Sequence, residues 1–293
     1  MIKRLIILMV ILLFVSITTF SIDIDYWSMH GSYGTGPTAK GMLSIYTNPS
    51  ALVLQRRWEA NFLSTVWENE NGNAYRLFGA NVIQPLENGF AGSLDLLYGV
   101  MTDPVEEDRY ASFGYSAAGR KNRLGWGVRL LAGRFDKKEG DDSFFGSANF
   151  GLLYTLGTGT HMMLNANAPQ IVTNDASVFE KNRPESFWAG GGILSENEQA
   201  RAYISGQGYR ENENPLFGAN FGGGFKIGFF NWDASVSISD IGKDINIETM
   251  NTFLNGMVSF DFEDFSVALS GSLPVSGGGI DETKYSLTVS ARW

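Results

Sequence analysis

Imidazole, thiolate and metal chemistry are thinly supplied in this 293-residue chain, which holds two histidines, His30 and His161, and no cysteine. A hydrolase would need a nucleophile, a base and an orienting polar group converging at one place. No Gly-x-Ser-x-Gly elbow is present to carry the nucleophile. His161 reads as an interfacial residue at the start of a strand, and His30 as a turn residue. Two acidic clusters offer hard oxygen ligands: Asp103, Glu106, Glu107 and Asp108, then Asp136, Glu139, Asp141 and Asp142. Neither has the spacing of a calcium loop, and a solvated surface accounts for both. The Gly-Gly-Gly runs at 222–224 and 277–279 lead into neither Lys-Ser/Thr nor a helix, so they are not phosphate loops. The first is expected to let a ligand or an inserted segment approach a strand closely, and the second to be a loop tip. These residues predict no catalytic centre, no metal and no cofactor.

Four charges stand inside otherwise alternating stretches. Glu59, Asp95, Arg129 and Asp233 each follow an apolar residue: Trp58, Leu94, Val128 and Trp232. Successive residues of a strand point to opposite faces. If the apolar face meets lipid, the four charges face a lumen or a partner. Two readings are open for them: salt bridges across the lumen or pinning of an inserted segment through Lys40, and a plain lining of a water-filled interior.

The elements that would position these charges are strands. The chain ends YSLTVSARW, with Tyr285, Leu287, Val289, Ala291 and Trp293 alternating against Ser286, Thr288, Ser290 and Arg292. A soluble domain seldom stops on the last residue of a buried strand, because free ends fray. A transmembrane barrel must pair its last strand with its first to remove the open edge. Fourteen such stretches follow one another: 57–67, 74–84, 88–98, 109–118, 123–134, 145–156, 160–168, 186–195, 200–210, 215–226, 229–239, 251–261, 263–273 and 283–293. Gly190, Gly191 and Gly192 in the eighth suggest a bulge or kink. The expected fold is all-β, a transmembrane antiparallel β-barrel of about 14 strands. Connections after even stretches are short, among them Pro85-Leu86-Glu87, whereas most connections after odd stretches are longer. Short periplasmic turns opposite longer outer loops are the barrel pattern. A mean hydropathy of -0.07 suits interleaved polar and apolar residues.

Residues 1–21 carry Lys3 and Arg4, an apolar run from Leu5 to Val15, and a polar end at Thr19-Phe20-Ser21, the layout of a cleaved secretory signal peptide. Its removal takes two of the 22 basic residues, leaving 20 against 31 acidic ones, so the mature chain carries about -11. That balance excludes nucleic acid as a partner. Three segments follow: the signal at 1–21, a preceding segment at 22–56, and the barrel at 57–293.

The segment 22–56 has glycine-rich turns, then Asn48-Pro49-Ser50-Ala51-Leu52, where Asn48 can cap and Pro49 can occupy the first position of a short helix. The signal, the Ala39-Lys40-Gly41-Met42 stretch, the Thr47-Asn48-Pro49-Ser50-Ala51-Leu52 turn and about fourteen strands ending on an aromatic together resemble a known group. It is the outer-membrane superfamily of long-chain fatty-acid and hydrocarbon transporters, with its related secretion-shuttle barrels. The resemblance implies that 22–56 is a hatch inside the barrel, with Gly41 and Met42, then Asn48, Pro49, Ala51 and Leu52, at its motif positions and Lys40 as a further hatch residue. The double glycine and the acidic pair of the family pattern are missing here. Tyr285, Leu287, Val289, Ala291 and Trp293 resemble the C-terminal signal that the barrel-assembly machinery reads.

The expected function is passage of small hydrophobic molecules through a bacterial outer-membrane barrel with a lumen-plugging N-terminus and no enzymatic activity. A barrel scaffold or shuttle for an exported protein is the alternative, and a structural barrel or narrow porin a weaker one. Outer-membrane lipid and the assembly machinery are the expected partners.

Overall fold

The computed structural model describes residues 42–68, 74–102, 107–136, 143–167, 171–172, 188–211, 214–241, 251–276 and 283–293. An α-helix, α1 (Met42–Thr47), runs into a 3-10 helix (Pro49–Leu54). Strands follow: β1 (Glu59–Glu68), β2 (Ala74–Glu87), β3 (Phe90–Thr102), β4 (Glu107–Lys121), β5 (Leu124–Asp136), β6 (Ser143–Gly157), β7 (Thr160–Asn167) and β8 (Ile171–Val172). The chain continues through β9 (Trp188–Glu196), β10 (Ala200–Glu211), β11 (Asn214–Ile227), β12 (Phe230–Ile241), β13 (Asn251–Asp261), β14 (Phe265–Ser276) and β15 (Thr283–Arg292).

Each strand pairs antiparallel with its neighbour, β7 pairs with β9, and β1 pairs with β15 from Glu59↔Arg292 to Glu68↔Thr283. The result is a closed antiparallel barrel of 14 strands. The short β8 lies outside that circuit and pairs with β6 at Phe145 and Gly146; the sequence pattern did not include it, because two residues carry no periodicity. Closure explains the terminal alternation. The last strand is the seam, and Trp293 is fixed there by a backbone N–H to Trp58 O at 3.2 Å and by stacking on the Trp58 ring.

The two faces differ as alternation requires. On β3, Leu94 and Leu96 are 50% and 57% exposed, while Ser93, Asp95 and Leu97 between and beside them are buried. Outside, Tyr115, Leu130, Phe150, Leu152, Phe221 and Leu269 extend the exposed apolar surface around the wall. A continuous face of that kind fits hydrocarbon rather than water.

β2, β3, β4, β6 and β11 run longer than their alternating stretches, since hydrogen bonding continues there past the apolar band. Pro85-Leu86-Glu87 is not a turn but the end of β2. A register slip between Gln84 and Glu87 accommodates the missing N–H of Pro85, and Leu86 donates its N–H to Gln55 O. The turn itself is Asn88-Gly89, both at positive φ, the pair that a two-residue hairpin demands. Gly190–Gly192 show no bulge: β9 keeps continuous register with β7 and β10.

Candidate functional site: the lumen wall and its inserted segment

Asn48 opens the 3-10 helix from a non-helical conformation, and its Oδ1 accepts from Ser50 N at 3.3 Å and Ser50 Oγ at 2.6 Å. Pro49 follows at the first helical position, where its missing N–H costs nothing. Ile45, Tyr46, Asn48, Pro49, Ser50, Ala51, Leu52 and Val53 are all buried, so this polypeptide lies within the barrel rather than on it. Met42 begins α1; Lys40 and Gly41 lie outside the described residues.

The bed for this segment is made of glycine. Gly127 on β5 and Gly151 on β6 are register partners. A Cβ on Gly127 would strike the Pro49 and Ser50 backbone, one on Gly151 would strike the Asn48 side chain, and one on Gly125 would come within 3.1 Å of Val53. Two wall asparagines complete the seat: Asn149 Nδ2 donates to Tyr46 O and Asn165 Nδ2 to Thr47 O, each at 2.8 Å. These are carbonyls of the last turn of α1, which have no partner within a helix that ends there. Below, Ile45, Ala51, Leu52 and Val53 join an apolar cluster with Ile83, Ala91, Ala118, Leu153, Met163, Leu194 and Tyr203.

The four interior charges are buried. They pair along the wall and not across the lumen. Arg129 on β5 holds Asp95 on β3 through Nη2–Oδ1 at 2.6 Å and Nε–Oδ2 at 3.2 Å, with side chains 1% and 0% exposed. Strands two apart are separated by about 10 Å, and the pair spans that gap because Gly114, the partner of Asp95 on β4, has no side chain in the way. The same device recurs on the far side. Arg201 on β10 and Asp233 on β12 both oppose Gly224 of β11 and meet above it at 2.5 Å, and Tyr203 donates its hydroxyl to Asp233 at 2.8 Å over Gly222. Gly222 and Gly224 therefore make room for wall side chains, not for the inserted segment. Glu59 takes Arg292 at 3.0 Å across the seam and Gln55 at 3.1 Å. Arg129 also faces the segment, with its Cζ 4.8 Å above the Tyr46 ring.

One inward position beyond Asp95 and Arg129, toward the longer connections, come Leu97 and Leu131. They join buried Leu63, Leu77, Tyr110 and Phe145 as an apolar stretch of inner wall, with the last two rings stacked at 5.3 Å. Buried inward positions on β11 to β15 are mostly polar instead, among them Asn220, Asn231, Ser235, Ser237, Asn255, Ser259, Thr288 and Ser290, with Phe253, Met257 and Ala268 between them. At the short-turn end this polar wall opens into a cavity of about 340 Å³ lined in part by Gln55, Asn61, Gly224, Asn231, Thr288 and Ser290.

His161 is not interfacial. Its ring is buried on the inner face, 3.2 Å from Thr155 Oγ1, because β7 sends His161, Met163 and Asn165 the same way. His30 lies outside the described residues. On β15, Tyr285 and Trp293 are exposed and Leu287, Val289 and Ala291 half-buried, while Thr288 and Ser290 are buried. Sequence reasoning missed Gly125, Gly127, Gly151, Asn149, Asn165 and Tyr46. The glycines on alternate positions of β5 were the available signal.

No protein-family model matches the sequence, and no curated protein matches it. In fold, the chain is similar to the CymD monoaromatic hydrocarbon channel, with a TM-score of 0.62 and 13% identity over 86% of this chain and 92% of that one. It is similar to the Pseudomonas putida toluene transporter TodX at 0.64 and 11%, over 93% and 98%. A Pseudomonas aeruginosa FadL homologue aligns at 0.56 and 10%, over 94% and 98%.

Proposed function

We propose that this chain is a bacterial outer-membrane channel for small hydrophobic molecules, in which residues 22–56 form a hatch that obstructs the lumen. The observation that carries the reading is the seat of residues 42–54. The segment is buried on a glycine bed, with asparagine hydrogen bonds to Tyr46 O and Thr47 O and a cation–π contact from Arg129 to the Tyr46 ring. Each hydrogen bond contributes about 1 kcal/mol net, which a bound ligand can offset. The apolar stretch formed by Leu63, Leu77, Leu97, Leu131, Tyr110 and Phe145 is the surface on which a hydrophobic molecule would be captured before the hatch moves. The fold shared with hydrocarbon channels supports the same substrate class. No covalent chemistry is required.

Export follows from the cleaved signal at 1–21, and insertion from recognition of Tyr285, Leu287, Val289, Ala291 and Trp293 by the assembly machinery. Removing Trp293 takes away the stack on Trp58 and should slow appearance of the heat-modifiable barrel in membranes. The functional test is uptake of labelled toluene by cells whose outer membrane carries this chain, against cells without it. Faster uptake supports the reading; equal uptake, with the barrel shown to be inserted, rejects it.

A further inference from the structure

We propose that Arg76, Arg109 and Arg134, on the lipid-facing side of β2, β4 and β5, form a binding site for the phosphate group of an outer-leaflet lipid. The inference rests on the outer-membrane placement in the reading above and not on transport.

The three share one face and one corner of the wall. Alternation turns Arg76 outward with Phe78, Ala80 and exposed Val82 on β2, and Arg134 outward with exposed Leu130 on β5. Arg109 is exposed near the start of β4, in the alternation of Phe113 and Tyr115. Register sets them side by side. Arg76 and Arg109 both oppose Val100 of β3, and Arg109 opposes Asp136, two residues from Arg134. Strands two apart are separated by about 10 Å, and diagonal neighbours on adjacent strands by about 7–8 Å. Long side chains span such gaps, as Arg129 does to reach Asp95 on the inner face.

Their depth is that of a headgroup. From Leu124 to Arg134, β5 advances about 33 Å along the strand, which a tilt of about 40° reduces to about 25 Å along the membrane normal, the height of the apolar band. Leu124 and Trp126 mark the inner end, where the Phe90 ring meets Trp126 edge-on at 6.3 Å. Arg134 therefore stands at the other end, where hydrocarbon gives way to headgroups. Exposed Tyr98 and Phe144 occupy the same row of the ladder, and Arg134 Cζ lies 5.8 Å from the centre of the Phe144 ring. A guanidinium held over a ring keeps its N–H edge for hydrogen bonding.

Asp136 pairs with Arg134 Nε and is the single acid among the described side chains of this corner; both side chains of the pair remain nearly half exposed. Three guanidinium groups beside one carboxylate favour an anion, and their planar forks of N–H donors fit phosphate oxygens. At the same end of β11 to β15 the described outward side chains, among them Phe217, Val275 and Tyr285, carry no charge. The cations gather at one place and do not ring the barrel.

The test is native mass spectrometry of the full chain released from mild detergent after mixing with bisphosphorylated lipid A or with the same lipid stripped of phosphate. Wild type should retain one lipid A molecule, several-fold more than the stripped form, and this comparison needs no variant. Arg109→Gln combined with Arg134→Gln should lose most of that preference. Lys121→Gln, which removes an exposed cation at the inner end of β4, should leave it intact. Heat-dependent migration checks that each variant is folded. Equal retention of the two lipids overturns the proposal, as does a preference that survives loss of both arginines or falls equally in Lys121→Gln. A second copy of the chain retained in place of lipid overturns it too. Toluene uptake by a barrel with no phosphate preference counts against this site and leaves the channel reading; a phosphate preference in a barrel that carries no toluene does the reverse.

Discussion

Across β4 to β7 the inward positions include Gly125, Gly127, Gly151, Ala118, Leu153 and Met163, with Asn149 and Asn165 donating to helix carbonyls, beside buried Ser116, Arg129 and His161. Across β11 to β15 most of the buried inward positions are asparagine, serine and threonine, several of them bonded from strand to strand, with Phe253, Met257 and Ala268 among them. Both halves share antiparallel register and an apolar outer face, so the difference lies wholly in what the lumen must hold. Small side chains admit polypeptide backbone at van der Waals distance, and polar ones suit water. One wall thus carries a seat on one side and a mainly polar surface on the other.

The contrast breaks most sharply at Asp95. Asp95→Ala leaves Arg129 buried without its carboxylate, at a cost of about 3–5 kcal/mol, read as earlier unfolding in urea from lipid vesicles and as release of Tyr46. Next comes Gly127→Val, whose side chain would occupy the space of the Pro49 and Ser50 backbone. Overpacking costs about 1–3 kcal/mol, and the segment should become accessible to protease while the strands remain folded. Asn149→Ala strips one donor from Tyr46 O, at about 1–3 kcal/mol for a buried hydrogen bond lost, and should raise toluene uptake. The smallest effect belongs to the polar half: Asn220→Ala should cost about 1 kcal/mol or less, because Ser235 and Ser237 keep Asn255 as a donor, with toluene uptake unchanged. An Asn220→Ala that opened the hatch as widely as Asn149→Ala would remove the distinction between the halves.

Much of the fold was legible in the sequence because a barrel in lipid shows its outer face as a period of two. Leu94, Leu96 and Tyr98 reveal a strand and its outward side without reference to any other residue. Interior features depend on distant partners and were read less well. Gly222–Gly224 and Gly125-Trp126-Gly127 look alike as sequence, yet the first pair of inward glycines clears space for Asp233 and Tyr203 and the second for Pro49, some 75 residues earlier. The interior orientation of Asp95, Arg129 and Asp233 followed from alternation, whereas their partners did not, since a pair spanning two strands needs the register of three. Pro85 misled for a related reason: a proline that usually marks a turn is tolerated at a slip in the ladder.

The most direct test of the seated hatch is backbone hydrogen exchange across residues 42–54 in the lipid-embedded barrel, with and without saturating toluene. Without it, the amides of Asn48, Ala51 and Gln55, bonded to Ser44 O, Asn48 O and Leu52 O, should exchange slowly. Toluene should speed exchange in this segment and leave β2 to β7 protected. Toluene crossing the membrane through the barrel with protection of 42–54 unchanged would contradict the account, because the hydrocarbon would then pass without moving the segment.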